Sequence, residues 1–555
     1  MNSIEIAQKV EMRHMRKFME DLGLTDDDFE FYGKFTGKIR LETLGKFADR
    51  PNGKLILVTA MTPTKFGEGK TLTSIGLGQA LARIGKKGML ALREPSLGPV
   101  FGIKGGATGG GYSQLVPMER INLHFNGDIH AITTAHNLLA AMLDNSILKD
   151  NPLRIDVTKV LWNRAMDMND RSLRDIVVGL GGRANGIPRE SGFVITAASE
   201  IMAILALAES REDLKRRLGE IVVAYDLDGK PIKPADIEAN NAMAAILNEA
   251  IMPNLVQTLE HSPALVHAGP FANIAHGTSS VIGSKIALKL ADYVVTECGF
   301  AADLGFEKFI DIVCRQSGLW PSAVVVVATC KAVRHHGGAS DTDIDKENVE
   351  ASKAGLVNLE AHVRNIRKFG LPVIVAINRF PTDTPAEIAL IKDLCQELGV
   401  ECEEHEAFAK GGAGATALAE KTVALADAST SQPKFLYALD LPVQEKVRQI
   451  ATQIYGADDV YFEKRAQTAI SKFTKLGYGH LPICIAKTQS SITDNPKLLG
   501  APKNWTLTVT DATLSAGAGF LVIICGNMML MPGLPKVPAA VNVNVNEKGQ
   551  IEGLF

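Results

Sequence analysis

A lysine and a threonine placed directly after two closely spaced glycines have the side chains that triphosphate chemistry needs, and the sequence offers them at Gly67-Glu68-Gly69-Lys70-Thr71. The glycines let the backbone approach an anion, so that successive N–H groups and the positive end of the following helix face phosphate oxygens. Lys70 would bring a mobile positive charge to the β and γ phosphates, and the Thr71 hydroxyl would serve Mg²⁺. The whole stretch Thr64-Lys65-Phe66-Gly67-Glu68-Gly69-Lys70-Thr71 is therefore the expected ATP site. It departs from the usual phosphate-loop pattern at Thr64, which stands where that pattern has its first glycine.

A second group of reactive side chains follows closely. Arg93 leads into a segment with Gly102, Gly105, Gly106, Gly109, Gly110 and Gly111, and with Lys104, His124, Asp128 and His130 around it. Glycine weakens both helix and strand interiors, so this segment is expected to be a backbone-rich loop lining a site rather than a regular element. His124, His130 and His136 recur at every sixth position. That interval matches neither the i, i+4 pair of a helical zinc site nor another known ligand pattern, which argues against a metal centre.

The elements that must position these groups can be read on either side. An apolar, β-branched run from Lys54 precedes the glycines, a helical period through Leu72, Ile75, Gln79 and Ile84 follows, and Met89 to Leu92 reads as a second strand, giving a βαβ unit. Further on, short apolar runs within residues 268–280, 292–309, 322–338 and 371–384 end in Gly, Asn, Pro or charged residues and lead into helices. Such runs describe a mainly parallel sheet buried on both faces, whose ends, bearing His276, Glu297, Phe300, Arg334, Asn378 and Phe380, are expected at one crevice. The expected fold is α/β: a P-loop NTPase-like, mainly parallel sheet flanked by helices, with additional smaller α/β domains. The expected boundaries are an N-terminal helical segment over 1–50, a nucleotide-binding core over 51–385 with an inserted lobe near 150–190, a second domain over 386–460 and a C-terminal domain over 461–555. Residues 131–148 read as a helix closing the glycine-rich region, and 210–220 as a solvated helix.

Composition narrows the class. With 555 residues, 46% hydrophobic and 22% charged, the chain has ordinary globular usage, and its formal charge of −3 gives no bulk reason to bind nucleic acid or an acidic membrane. The seven cysteines are scattered and show no C-x-x-C spacing, which fits buried thiols in a reducing compartment. The first residues are charged throughout, without a signal-peptide core, and no apolar run approaches the length of a spanning helix. A cytoplasmic protein is expected.

Several stretches together resemble the formate–tetrahydrofolate ligase family: TPTKFGEGKT, REPSLGPVFGIKGGATGGGYSQLVPME, INLHFNGDIHAI, GPFANIAHG, AINRFPTDT, LPICIAKTQ, DNPKLLGAP, LSAGAGF and MPGLPKVPAA. The resemblance runs over nearly the whole chain and looks like the monofunctional bacterial type. It implies that formate attacks the γ phosphate of MgATP to give formyl phosphate, and that the N10 amine of tetrahydrofolate then takes the formyl group. Lys70, Arg93 and Mg²⁺ would neutralise the phosphate charge, while Asp128 or His124 would accept the amine proton. The resemblance also places the pteridine on Phe300, Phe380 and Phe408, and implies activation by a monovalent cation such as K⁺ and a homotetramer.

Three positions depart from the family pattern: Phe408 stands where tryptophan is common, Arg120 where an acidic residue is expected, and Thr513 where arginine is expected. Phenyl still stacks, but covers less area than indole and lacks its N–H, so looser folate binding is expected. Three other classes compete on the phosphate loop alone. These are another carboxylate- or amine-activating P-loop enzyme, a regulatory nucleotide-switch ATPase, and a scaffold with a dead loop; the intact Lys70 and Thr71 argue against the scaffold.

Overall fold

The computed structural model describes residues 2–102, 108–526 and 528–554. Its principal sheet has twelve strands: β1 (Phe29–Phe31), β2 (Gly37–Ile39), β3 (Lys54–Ala60), β4 (Gly88–Leu92), β5 (Gly109–Gly110), β6 (Ser113–Val116), β7 (Asn254–Thr258), β8 (Pro263–Val266), β9 (Tyr293–Glu297), β10 (Ala323–Ala328), β11 (Val373–Asn378) and β12 (Glu401–His405). The spatial order is β1-β2-β7-β8-β4-β9-β3-β10-β11-β12, with β6 paired to β7 and β5 to β6. From β8 to β12 every neighbouring pair is parallel, while β1, β2, β6 and β7 pair antiparallel.

Burial on both faces explains the composition of these strands. Alternate residues point to opposite cores: Leu55, Leu57, Val294, Val324, Val326, Val375 and Ile377 enter one, and Ile56, Val58, Val295, Val325, Val327, Ile374 and Ala376 the other. The four valines of β10 are fully buried, each stabilising the fold by ~1.5–3 kcal/mol relative to exposure. Helices α1 (Lys70–Arg83) and α5 (Thr416–Ala428) cover the second face. Helices α3 (Val349–Lys368) and α4 (Pro385–Leu398) cover the first, and the long helix α2 (Asp128–Leu148) also contributes to that core.

Two contributions to this sheet come from outside the expected 51–385 stretch. Residues 1–50 form short helices but also supply β1 and β2, and β12 joins β11 from beyond residue 385. Residues 155–232 build small two- and three-stranded sheets. In the C-terminal part Ile483–Ala486, Phe520–Ile524 and Asp511–Ser515 form a separate sheet, beside the pair Asp459–Phe462 and Thr506–Val509. The helix Arg211–Glu220 is less solvated than its charge suggests, because Arg217 is buried and donates to Asp213 and Gln316. Among the described residues, no helix is long and apolar enough to cross a membrane.

Candidate active site

The carboxyl ends of the parallel strands open onto a cavity of about 880 Å³, within the range of small-molecule sites. Phe66 to Leu72 follow β3, Arg93 follows β4, Gly299 and Phe300 follow β9, Asn378 to Pro381 end and follow β11, and Glu406, Phe408 and Ala409 follow β12. Gly109 and Gly110 complete the lining. Ligands of open α/β sheets bind at this edge because the turns between strand ends and helix starts converge there.

The loop after β3 is braced from within. Glu68, 2% exposed, accepts from Thr64 N at 2.7 Å, from Thr64 Oγ1 at 2.9 Å and from Thr329 Oγ1 at 2.7 Å. Its own carbonyl accepts from Asn378 Nδ2 at 3.1 Å. Gly69 then enters α1 with φ of 76°, and a side chain there would collide with the Asn378 amide. Glycine meets both the left-handed backbone and the close approach. The N-terminal N–H groups of α1 are thereby left facing the cavity, where an anion would satisfy them.

Behind the loop lies a short chain of charge. Thr71 Oγ1 donates to Glu297 Oε2 at 2.8 Å, and Arg93 Nη2 approaches Glu297 Oε1 at 3.4 Å. Glu297 is buried. Lys70 is not the solvent-facing charge that a mobile phosphate ligand suggests; it is half-buried at the cavity floor. Desolvation pushes its pKa down and Arg93 adds to that, while the carboxylates of Glu297 and Glu68 pull it back up. Two cations, Lys70 and Arg93, thus face the space beyond the helix terminus with Glu297 behind them.

The aromatic wall comes from three loops. Phe300 holds φ of 60°, an uncommon conformation for a bulky residue that is found at sites where the surrounding fold imposes it. Lys331 Nζ lies 4.8 Å from the Phe380 ring centroid. Phe408 is 56% exposed, and its segment is fixed by the backbone: its carbonyl accepts from Tyr112 N at 2.8 Å, and the Ala407 carbonyl accepts from Ser113 Oγ at 2.9 Å. Gly76 of α1 permits this docking, since a side chain there would strike Ala407 Cβ.

Of the residues expected at the site, Phe66, Gly67, Glu68, Gly69, Lys70, Thr71, Arg93, Phe300, Phe380 and Phe408 line this one cavity. Thr64 instead braces Glu68, and Lys65 makes an exposed ion pair with Asp341 at 2.6 Å. His124 is exposed and Asp128 is buried, and neither lines the cavity. Asp128 pairs with Lys38 at 2.7 Å and accepts from Asn254 Nδ2 at 2.6 Å. Burial, and then the Asp128 carboxylate, raise the pKa of neighbouring Glu94. This places Asp128 in an internal polar cluster with Lys38, Asn254 and Glu94. His130 is exposed, whereas His136 is buried, bonded to Ser199 Oγ at 2.8 Å and stacked on Trp162.

Lys104, Gly105 and Gly106 lie outside the described residues. Asn378 lines the crevice as a strand end, and Glu297 lies buried behind it against Thr71 and Arg93, but Arg334 and His276 do not line it. Arg334 is buried on Asp383 and Glu387, and His276 is buried beside Phe520. Arg379, which also lines the cavity, was signalled only by standing next to a strand end, and Glu406, which follows the polar strand β12, had no such signal. Arg120 and Thr513 are exposed and neither is among the lining residues.

Helix N-terminus, paired cations and aromatic wall on one strand edge define an α/β protein equipped to bind an anionic ligand beside a flat ring. Comparison with protein families supplies the activity. The model of the formate–tetrahydrofolate ligase family matches residues 1–555, and the chain belongs to that family. Its activity is the ATP-dependent joining of formate to tetrahydrofolate in one-carbon metabolism. Among solved structures, the translation elongation factor SelB from Methanococcus maripaludis in its apo form matches over 26% of this chain and 28% of its own, at 14% identity and a TM-score of 0.17.

Proposed function

We propose that this cavity is where ATP, formate and tetrahydrofolate meet, on a P-loop NTPase-like core of the monofunctional bacterial type. The convergence of the α1 terminus, Lys70, Arg93 and three phenylalanines on one space carries the reading. A formate oxygen attacks the γ phosphorus and ADP leaves; the N10 amine then attacks the formyl carbon, loses its proton and expels phosphate. Phosphoryl transfer demands positioning and charge compensation more than covalent help. Lys70 and Arg93 supply that compensation to the γ phosphate and then to formyl phosphate, and the N–H groups of Lys70 and Thr71 hold the remaining phosphate oxygens. Phe300, Phe380 and Phe408 hold the pteridine, with Phe408 at the open mouth.

The donor set fits Mg²⁺: the Thr71 hydroxyl and the Glu297 carboxylate are hard oxygen ligands 2.8 Å apart at the end of the phosphate loop. When bound there the ion would neutralise phosphate charge. A monovalent cation such as K⁺ belongs to the proposal through the family. Among the described residues no group of three or more carboxylate, thiol or imidazole side chains is placed to hold a metal ion, and the cation is assigned no ligands and no step. The amine proton is assigned to neither Asp128 nor His124, because neither lines the cavity. A homotetramer in the cytoplasm, with partners limited to the three small substrates, completes the reading.

The test is ADP release from ATP, measured with formate and tetrahydrofolate present together and each left out. Release that persists unchanged without either would overturn it.

A further inference from the structure

One carboxylate in the cavity lining has no part in the phosphate chemistry. Among the lining residues only Glu68 and Glu406 carry carboxylates. Glu68 is spent on Thr64 and Thr329 beneath the loop. Glu406 follows β12 directly, is half-buried, and stands two residues before Phe408. Its Oε2 accepts from Lys410 Nζ in the short helix Ala407–Lys410. That bond holds the carboxyl below its ordinary pKa, and so ionised. Among the described residues, Oε1 accepts no hydrogen bond.

The backbone of Glu406 is pinned on both sides. Its N–H donates to the Gly414 carbonyl at 2.9 Å, and its carbonyl accepts from Ala409 N at 3.1 Å and Lys410 N at 3.0 Å. A side chain at Gly414 would strike the Glu406 carbonyl, so the glycine is what lets the two segments close. The result is a fixed anion in a cavity whose substrates are themselves anions. Like charges repel, and such a group is favourable only where a ligand brings donors to it.

We propose that Glu406 is the specificity residue for the pterin of tetrahydrofolate, accepting hydrogen bonds from its N3–H and 2-amino group. The assignment rests on the reading that this cavity holds the three substrates. In the pterin these two donors lie side by side on one ring edge and point the same way, which complements the paired oxygens of a carboxylate. Each oxygen has two lone pairs, so Lys410 can stay in place. Adenine offers no such edge: its single amine is flanked by ring nitrogens that accept, and a carboxylate would meet one donor beside a repelling lone pair. The lining is thereby polarised, with Lys70, Arg93 and the α1 terminus for phosphate, and Glu406 for the donor edge of the pterin, whose face Phe408 covers.

The KM for tetrahydrofolate and for ATP is measured in the full-length protein and in Glu406→Gln, with the natural folate and with 2-desamino-2-methyltetrahydrofolate. The amide keeps the shape but turns one acceptor into a donor. It is expected to raise the KM for tetrahydrofolate about 10–100-fold, the effect of losing hydrogen bonds to a charged group, and to leave the KM for ATP within about twofold. The analogue is expected to bind the parent more weakly than the natural folate, and the two folates to converge in Glu406→Gln. The parent measurement needs no substitution, so it stands even if the variant folds poorly. Equal KM values for the two folates in the parent, or a Glu406→Gln variant whose KM for ATP rises as much as that for folate, would overturn the assignment. So would an unchanged KM for tetrahydrofolate in the variant while turnover still depends on folate. Folate-independent ADP release by the parent would instead remove the functional reading, and this assignment with it.

Discussion

Thr71 Oγ1 and Glu297 Oε2 lie 2.8 Å apart, which ties the first turn of α1 to the end of β9, the parallel neighbour of β3. The same carboxylate reaches Arg93 and raises the pKa of Lys70 against the effect of burial. Glu297→Gln keeps the shape and removes the charge. Activity is expected to fall by about 10–100-fold, the usual cost of losing a residue that orients catalytic groups. Because Lys70 must be protonated to hold phosphate, its lowered pKa should also move the alkaline limb of the kcat/KM profile for ATP to lower pH. An unmoved alkaline limb would remove Glu297 from the electrostatics of the site.

Lys70→Ala should reduce turnover by at least about 100-fold, in the range seen on losing a single charge-stabilising donor. Burial disfavours the Lys70 ammonium in the folded chain, so deleting it should leave the melting temperature equal or higher in the absence of ligand. A clear drop in melting temperature would make Lys70 a structural residue instead.

The exposed ring of Phe408 has room to grow toward the cavity mouth. Phe408→Trp is expected to lower the KM for tetrahydrofolate, and Phe408→Ala to raise it. An aromatic contact is worth ~0.5–1.5 kcal/mol beyond area burial, or roughly two- to tenfold in binding. Equal KM values in all three proteins would place the folate elsewhere.

Acid should destabilise the fold earlier than carboxylate titration alone predicts. Burial depresses the pKa of His136 and His276 to about 3, and of His267, His336, His362 and His405 to about 4. The unfolded chain binds these protons first, so the stability that these neutral groups contribute is full above about pH 6.5 and is lost as pH falls toward the folded values. Each group removes up to about 1.4 kcal/mol per pH unit. Glu200 acts in the opposite sense: burial raises its pKa to about 7, so its contribution is lost as pH rises through that value. Melting curves recorded from about pH 8 down to about pH 5 should show the fall beginning below about pH 6.5; a flat profile there would contradict the neutral, buried assignment.

The strand, glycine loop and helix of residues 54–83 were legible because their signals are local: glycines, a change from strand to helix period, and a lysine at the junction. The strand β12 was not. Its sequence Glu401-Cys402-Glu403-Glu404-His405 has no apolar alternation, and it becomes a strand only by pairing with β11 at the edge of the sheet. Asp128 was misleading for a related reason. Closeness in sequence to the glycine-rich loop suggested a reactive role, yet its partners Lys38 and Asn254 come from β2 and β7, and no local pattern announces them. Phe300 and Phe380 were legible as residues at strand ends, whereas Phe408 was legible only through the family resemblance, since an isolated phenylalanine reads as core.

The cavity lining is drawn from residues 66 through 409, and no shorter run of chain contains it. Closing such a space means meeting the entropy of several long loops before any contact across it forms. A nucleotide or folate held there would therefore act as a late clasp on the whole strand order from β4 to β12. Its binding free energy would count toward the stability of that entire sheet, so saturating ligand should move the melting of the core as one transition.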